Sequence, residues 1–193
     1  MKAGFSYVRK DKAILAILLF TQFAVLLSMP YLNLLPVFTE DILKVGAKGM
    51  GILVSVSGIG AIVGSLILAS LPNKKRGYLL LLSSLVMGLA LIGFAFSNSW
   101  HLSLAMIVFV GLGSTGRMTL SNALLQSYTA EEYMGRVMSI YMMEFALTSL
   151  SVFTAALLSE SVGIQWSIGG LAIGLVALTI LVFTFAPKVR KLE

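Results

Sequence analysis

Six apolar stretches follow one another along this chain, at about residues 13–35, 49–71, 78–96, 101–127, 133–159 and 164–186, with short polar breaks between them. Each is close to or above the ~20 apolar residues that an α-helix needs to cross a hydrocarbon core about 30 Å thick. No water inside that core can satisfy backbone N–H and C=O groups. An apolar run of this length therefore has one stable solution there, a spanning helix that bonds its own backbone. The sparse charge agrees: 11% of the 193 residues are Asp, Glu, Lys or Arg, against about a quarter in a soluble domain. The expected fold is an all-α membrane protein with six transmembrane helices, residues 1–12 leading in and 188–193 trailing as a tail.

The formal net charge of +6 would suit nucleic acid if it were gathered on one surface. It flanks the apolar stretches instead, and so sets orientation. Lys2, Arg9, Lys10, Lys12, Lys74, Lys75, Arg76, Arg136, Lys188, Arg190 and Lys191 all fall on one side of a six-span chain, and only Lys44 and Lys48 on the other. Basic residues favour the cytoplasm, so both termini are expected there, in a cell (inner or plasma) membrane, with no nucleic-acid partner. Trp100 and Trp166 then reach the outer interface, where tryptophan is favoured. Residues 1–12 combine Phe5, Tyr7 and Val8 with basic neighbours, which fits a segment lying on the bilayer or a solvated tail.

The residues do not assemble an enzyme. There is no cysteine, and the sole histidine, His101, sits at a membrane edge. Gly113-Ser114-Thr115-Gly116 has the wrong order for a serine-protease loop, and His-Glu-x-x-His is absent. Neither a metal nor a cofactor is expected.

Two full charges lie well inside the apolar stretches: Arg117 in the fourth and Glu144 in the fifth. They are nearly equidistant from the turn near Ala130 and Glu131, so in an antiparallel hairpin they share one depth. At 1.5 Å per residue that depth is about 15 Å or a little more, near the middle of the membrane. Charges there face a bundle interior or a wet cavity, not lipid. A structural ion pair, a substrate-charge site and a proton-coupling site all fit. Gln22 on the first span, Asn122 on the fourth and Tyr141 beside Glu144 on the fifth are further polar candidates.

On the second span Ser57, Ala61, Ser65 and Ala69 recur every four residues, with Gly60 and Gly64 alongside. Small residues at that spacing let two helix backbones approach, so a packing role is expected of Ser57, Gly60, Ala61 and Gly64. Pro30 is expected to kink the first span and Pro36 to stop it. Thr129-Ala-Glu-Glu132 reads as a capping box opening the fifth helix. Met50-Gly51 with Ser55 and Ser65 recurs three spans later as Met134-Gly135 with Ser139 and Ser149. Three plus three spans that start from opposite faces form an inverted repeat, a pattern of secondary transporters.

Three stretches carry a family resemblance: GFSYVRKDK at the start, MPYLNLLPVFTEDILKVGAKGMGIL across the first loop, and LLQSYTAEEYMGRVMSIYMM across the fourth turn. In that order they resemble the C-terminal half of a major facilitator superfamily transporter, in the efflux branch that includes the enterobactin exporter and macrolide-efflux proteins. The third stretch resembles the family's loop between helices ten and eleven, and maps onto Glu131, Glu132, Gly135 and Arg136. Ala130 and Met134 depart from it, where the family favours proline and arginine. The resemblance implies one half of two inverted three-helix repeats, a small-molecule substrate of drug or siderophore type, proton-coupled efflux, and pairing with an N-terminal six-helix half or with a second copy. An excised half, a truncated gene product, half of a split transporter, and a six-span partner or scaffold all fit the length.

The topology can be tested directly, because no native cysteine competes for label. Ser99→Cys should react with an impermeant thiol reagent from outside the cell, and reaction only from the cytoplasm would reverse the orientation.

Overall fold

The computed structural model describes residues 7–72, 74–190 and 192. Among these, six helices are long and apolar enough to span a membrane: Lys12–Ile42, Gly46–Ser70, Arg76–Ala95, Trp100–Tyr128, Glu131–Val162 and Ile164–Phe185. A short turn, Pro187–Arg190, follows the last of them. The outer surface is apolar where a soluble protein would be charged, with Ile62, Leu66, Phe145 and Phe153 among its most exposed side chains. This arrangement requires hydrocarbon as solvent, and the protein is a multi-pass membrane protein.

Local chemistry explains the irregular helices. Asp11 caps the first span, its carboxylate accepting from the N–H of Ala13 at 2.8 Å and of Ile14 at 3.2 Å. That span breaks at Met29, and Pro30 restarts it in the first helical turn, where a missing N–H costs nothing. Pro36 does not stop the helix, contrary to the sequence expectation. The chain widens into a π-helical turn, Phe38–Ile42, in which the N–H of Leu43 donates to Phe38 O at 3.1 Å, and it stays helical. The fifth span breaks at Met142, between Glu131–Tyr141 and Met143–Val162. Gly163, at φ 86°, then makes the turn into the sixth span, a conformation that a side chain would strain.

The second and third spans pack along the fourth, the third also packs on the sixth, and the first packs against the fifth, sixth and fourth. Exchanging the first span with the fourth, the second with the fifth and the third with the sixth maps these contacts onto one another, although the fifth span also packs on the sixth without a comparable second-on-third contact among the described residues. The second-on-fourth contact becomes fifth-on-first, and third-on-fourth becomes sixth-on-first. That is the pairing of two inverted three-helix repeats.

Glycines set the closest contacts. A methyl group on Gly60 would overlap the carbonyl of Val108, and one on Gly111 would overlap that of Ser57. At Gly64 it would meet Leu112, and at Gly113 it would meet Ser83 and Met87 of the third span. The contact stripe on the second span is thus Ser57, Gly60 and Gly64, with Gly60 and Gly64 buried. Ala61 is half-buried at its margin, whereas Ser65 and Ala69 are exposed.

Two apolar clusters fill the bundle. One, around Phe38, Leu53, Phe94 and Ile107, lies toward the end that holds the π-turn. The other, around Ile14, Leu80, Leu124 and Val137, lies toward the end that holds Val8 and Val189.

Gly60→Leu or Gly111→Leu should cost about 1–3 kcal/mol, the usual penalty of overpacking, read as a lower melting temperature in detergent. Gly135→Ala is the control, because nothing lies within 4 Å of a methyl group there. Unchanged melting in both leucine variants would remove these backbone contacts as a source of stability.

Candidate functional site

The site lies between the two apolar clusters. Arg117 on the fourth span points Nη1 at Oε2 of Glu144 on the fifth, 3.9 Å away, and the side chains are 1% and 7% exposed. The fourth and fifth spans touch near their turn, while the first span packs on both. The long arginine side chain closes the remaining distance, so equal depth in sequence becomes an ion pair in space.

Tyr141 is fully buried one helical turn before Glu144 and lies within electrostatic reach of both charges. Thr21 Oγ1 donates to Ser121 Oγ at 3.0 Å, tying the first span to the fourth one turn beyond Arg117. Neither Thr21 nor Ser121 is among the polar candidates that the sequence offers. A threonine on an apolar helix carries no signal until its partner is known.

Gln22 has a structural task. Its Nε2 donates to the carbonyls of Ile140 at 2.9 Å and Tyr141 at 3.2 Å. Those carbonyls stand at the break in the fifth span, where a helix in hydrocarbon needs another donor. Asn122 is not brought to the charges. It is half-buried and accepts from Gln126 on its own helix.

Several buried atoms have no hydrogen-bond partner among the described residues: Arg117 Nε and Nη1, Glu144 Oε2, Tyr141 Oη and Gln22 Oε1. At 3.9 Å the ion pair is longer than a direct hydrogen bond. Both members therefore keep hydrogen-bonding capacity for a third group. Beside them, Gln22, Ile140, Leu15, Leu18 and Arg9 line a cleft of about 410 Å³ between the first span and the fifth. No group of three or more His, Cys, Asp or Glu side chains comes together among the described residues.

A second cluster lies at the end that holds Val8 and Val189. Tyr7 stacks on Tyr133 at 4.2 Å with the rings 1° from parallel, and the Arg136 guanidinium covers the Tyr133 ring at 5.5 Å. Tyr7 Oη accepts from the N–H of Ala130 at 3.2 Å. The expected capping box does not form: the helix starts at Glu131, Ala130 takes the cap position without a side-chain bond, and the Thr129 hydroxyl is buried without a partner. Tyr7 meets the Ala130 amide instead. Glu131, Glu132, Gly135 and Arg136 are exposed. Phe5 lies outside the described residues, whereas Val8 is buried, so this part of the leading segment is docked on the bundle.

The family model for the Major Facilitator Superfamily matches residues 1–152 and again 51–193. The chain is similar to the staphyloferrin A transporter of Staphylococcus aureus, 28% identical over 164 residues, which cover 84% of this chain and 41% of the relative. It is also similar to macrolide efflux protein A of Streptococcus pyogenes, 24% identical over 203 residues, covering all of this chain and 48% of the relative. The chain thus spans about half the length of the curated relatives it matches.

Removing one partner of a buried ion pair strands the other. Arg117→Gln or Glu144→Gln should each destabilise the bundle by about 3 kcal/mol. The double variant should recover most of that loss, because neither charge is then stranded. Thermal melting of the three variants measures the coupling, and strictly additive losses would show that the two charges do not act as a pair.

Proposed function

The chain belongs to the Major Facilitator Superfamily, and from that premise we propose that it is one six-helix half of a secondary transporter that exports a small molecule. The proposed mechanism is alternating access driven by the proton gradient, in antiport. The names of its relatives refer to a siderophore and to macrolides, and we carry over that breadth as the substrate class. The proposed setting is the plasma membrane, with both termini, residues 1–12 and residues 188–193 in the cytoplasm.

One observation carries this reading: the buried Arg117–Glu144 pair, with Tyr141 against it and hydrogen-bonding capacity left over. A carboxylate held at a charge-separated distance from an arginine can take up a proton when the arginine turns to another partner. Substrate or water could serve as that partner, and Gln22, which lines the neighbouring cleft, donates to the carbonyl of Tyr141. Uptake and release of the proton at Glu144 would then alternate with substrate binding. The role we assign to Tyr141 Oη, buried and without a partner among the described residues, is to exchange hydrogen bonds with either charge. Gln22 supports the site by holding the break in the fifth span.

A half-transporter needs a second half, because family transporters hold substrate between two repeats near the midplane. The second and fifth spans, the least buried of the six, are the proposed faces for that partner, either an N-terminal half or another copy of this chain.

The test is uptake of a macrolide and of staphyloferrin A into inverted vesicles under an imposed proton gradient. The chain is expressed alone and together with an N-terminal half from a relative. Uphill uptake should need both halves or a crosslinkable dimer. Glu144→Gln and the double neutral variant should express and insert but lose uphill transport. Transport by a crosslink-proven monomer would overturn the half-transporter reading, and full activity in the double variant would overturn the coupling role.

A further inference from the structure

The third and sixth spans leave a groove between them at the end of the bundle that carries the turn at residues 72–77. Tyr78, Leu82, Leu85, Ile180 and Phe183 form its walls, buried Leu81 and Thr179 form its floor, and it holds about 190 Å³. The hydroxyl of Thr179 donates to Leu175 O at 2.8 Å. The floor therefore asks nothing polar of an occupant, and hydrocarbon satisfies it completely. Tyr78 to Leu85 is two helical turns, about 10 Å along the axis. The groove thus opens at the membrane boundary and descends about a third of the way through a core ~30 Å thick.

Its mouth is cationic. The Arg190 guanidinium lies 5.1 Å from the centre of the Phe183 ring, and Tyr78 tilts against the same ring at 6.1 Å. Arg190 is held in place, because Pro187–Arg190 packs on the third and sixth spans. The N–H of Gly77 also donates to Leu192 O at 3.0 Å, and a methyl group on Gly77 would overlap the carbonyl of Val189. Lys74 and Lys75 are exposed on the adjoining turn. Arg76 points elsewhere, donating to Ser127 Oγ at 3.3 Å.

An apolar slot of acyl-chain depth ends at a guanidinium carried by a packed turn, and two exposed lysines stand on the turn that leads into Gly77 and Tyr78. We propose that this groove binds an anionic phospholipid, one acyl chain lying between Tyr78 and Phe183 and the phosphate held by Arg190 with Lys74 and Lys75. The proposal needs only that the chain spans a membrane and does not depend on the transport reading.

The experiment is native mass spectrometry of the full chain in mild detergent, titrated with phosphatidylglycerol or with phosphatidylcholine of the same acyl chains. Phosphatidylglycerol should be retained in preference. Arg190→Gln should lower its retention about five-fold, the scale of one basic residue at an anionic surface, and leave phosphatidylcholine unchanged. Leu85→Trp, which fills the groove, should lower retention of both lipids. Ile180→Trp fills it from the opposite wall and repeats the test if the first variant does not fold. Equal retention of the two lipids, or phosphatidylglycerol binding unaffected by Arg190→Gln or by the filled groove, would overturn the proposal. So would a second copy of the chain, rather than lipid, being lost when the groove is filled.

Discussion

The fourth span is the element on which the rest of the bundle depends, and what it depends on is close backbone approach. Between hydrocarbon-soluble helices the hydrophobic effect supplies little, so association rests on packing and on small residues that permit it. Gly111 faces the Ser57 carbonyl, and Gly113 and Gly116 face Ser83 on the third span. The second span answers with Gly60 and Gly64 against Val108 and Leu112. These contacts hold three helices together on one side and fix the rotation of the fourth. That rotation turns Arg117 inward, where it is 1% exposed.

The opposite side of the bundle is built differently. The first and fifth spans are each broken, at Met29 and at Met142, and they meet through polar contacts as well as apolar ones. Gln22 donates to two carbonyls at the break in the fifth span, and Thr21 bonds Ser121. Such contacts can exchange partners at low cost, whereas a glycine-to-carbonyl contact cannot. The charge pair thus lies where a close-packed group of helices meets a more adaptable one. In the proposed transport cycle, that boundary would let the pair exchange partners. The stack of Tyr7 on Tyr133 ties the leading segment to the turn between the fourth and fifth spans, so a shift of the fifth span would be felt at the chain's entry.

Where the sequence was read wrongly, a local rule gave way to a wider context. Pro36 removes one backbone donor, but the helix runs through it and widens to a π-turn two residues later, at Phe38–Ile42, instead of ending. Thr129 stands at the right spacing from Glu132 for a capping box, but the helix begins at Glu131, and a tyrosine from over a hundred residues away meets the Ala130 amide. The every-fourth stripe on the second span was half right. Ser57 lies on the contact face, but Gly60 and Gly64 make the closest contacts, and Ser65 and Ala69 turn outward. A spacing of four drifts around a helix of 3.6 residues per turn, so over three turns the stripe leaves the face it started on.

The number of spans, the family resemblance and the shared depth of Arg117 and Glu144 were determined by the sequence alone. Each follows from a one-dimensional quantity: the length of an apolar run, the order of motifs, or the distance from a turn. Tertiary structure alone decided which neighbours each span chose. It placed the first span against both the fourth and the fifth, left Asn122 bonded within its own helix, and gave Gln22 to a helix break. It also set Arg190 over the Phe183 ring at the mouth of an apolar groove. These outcomes depend on how each helix is rotated about its axis. In a bundle whose helices are apolar on nearly every face, periodicity does not specify that rotation. It is settled by where backbones can touch and where buried polar groups can find each other.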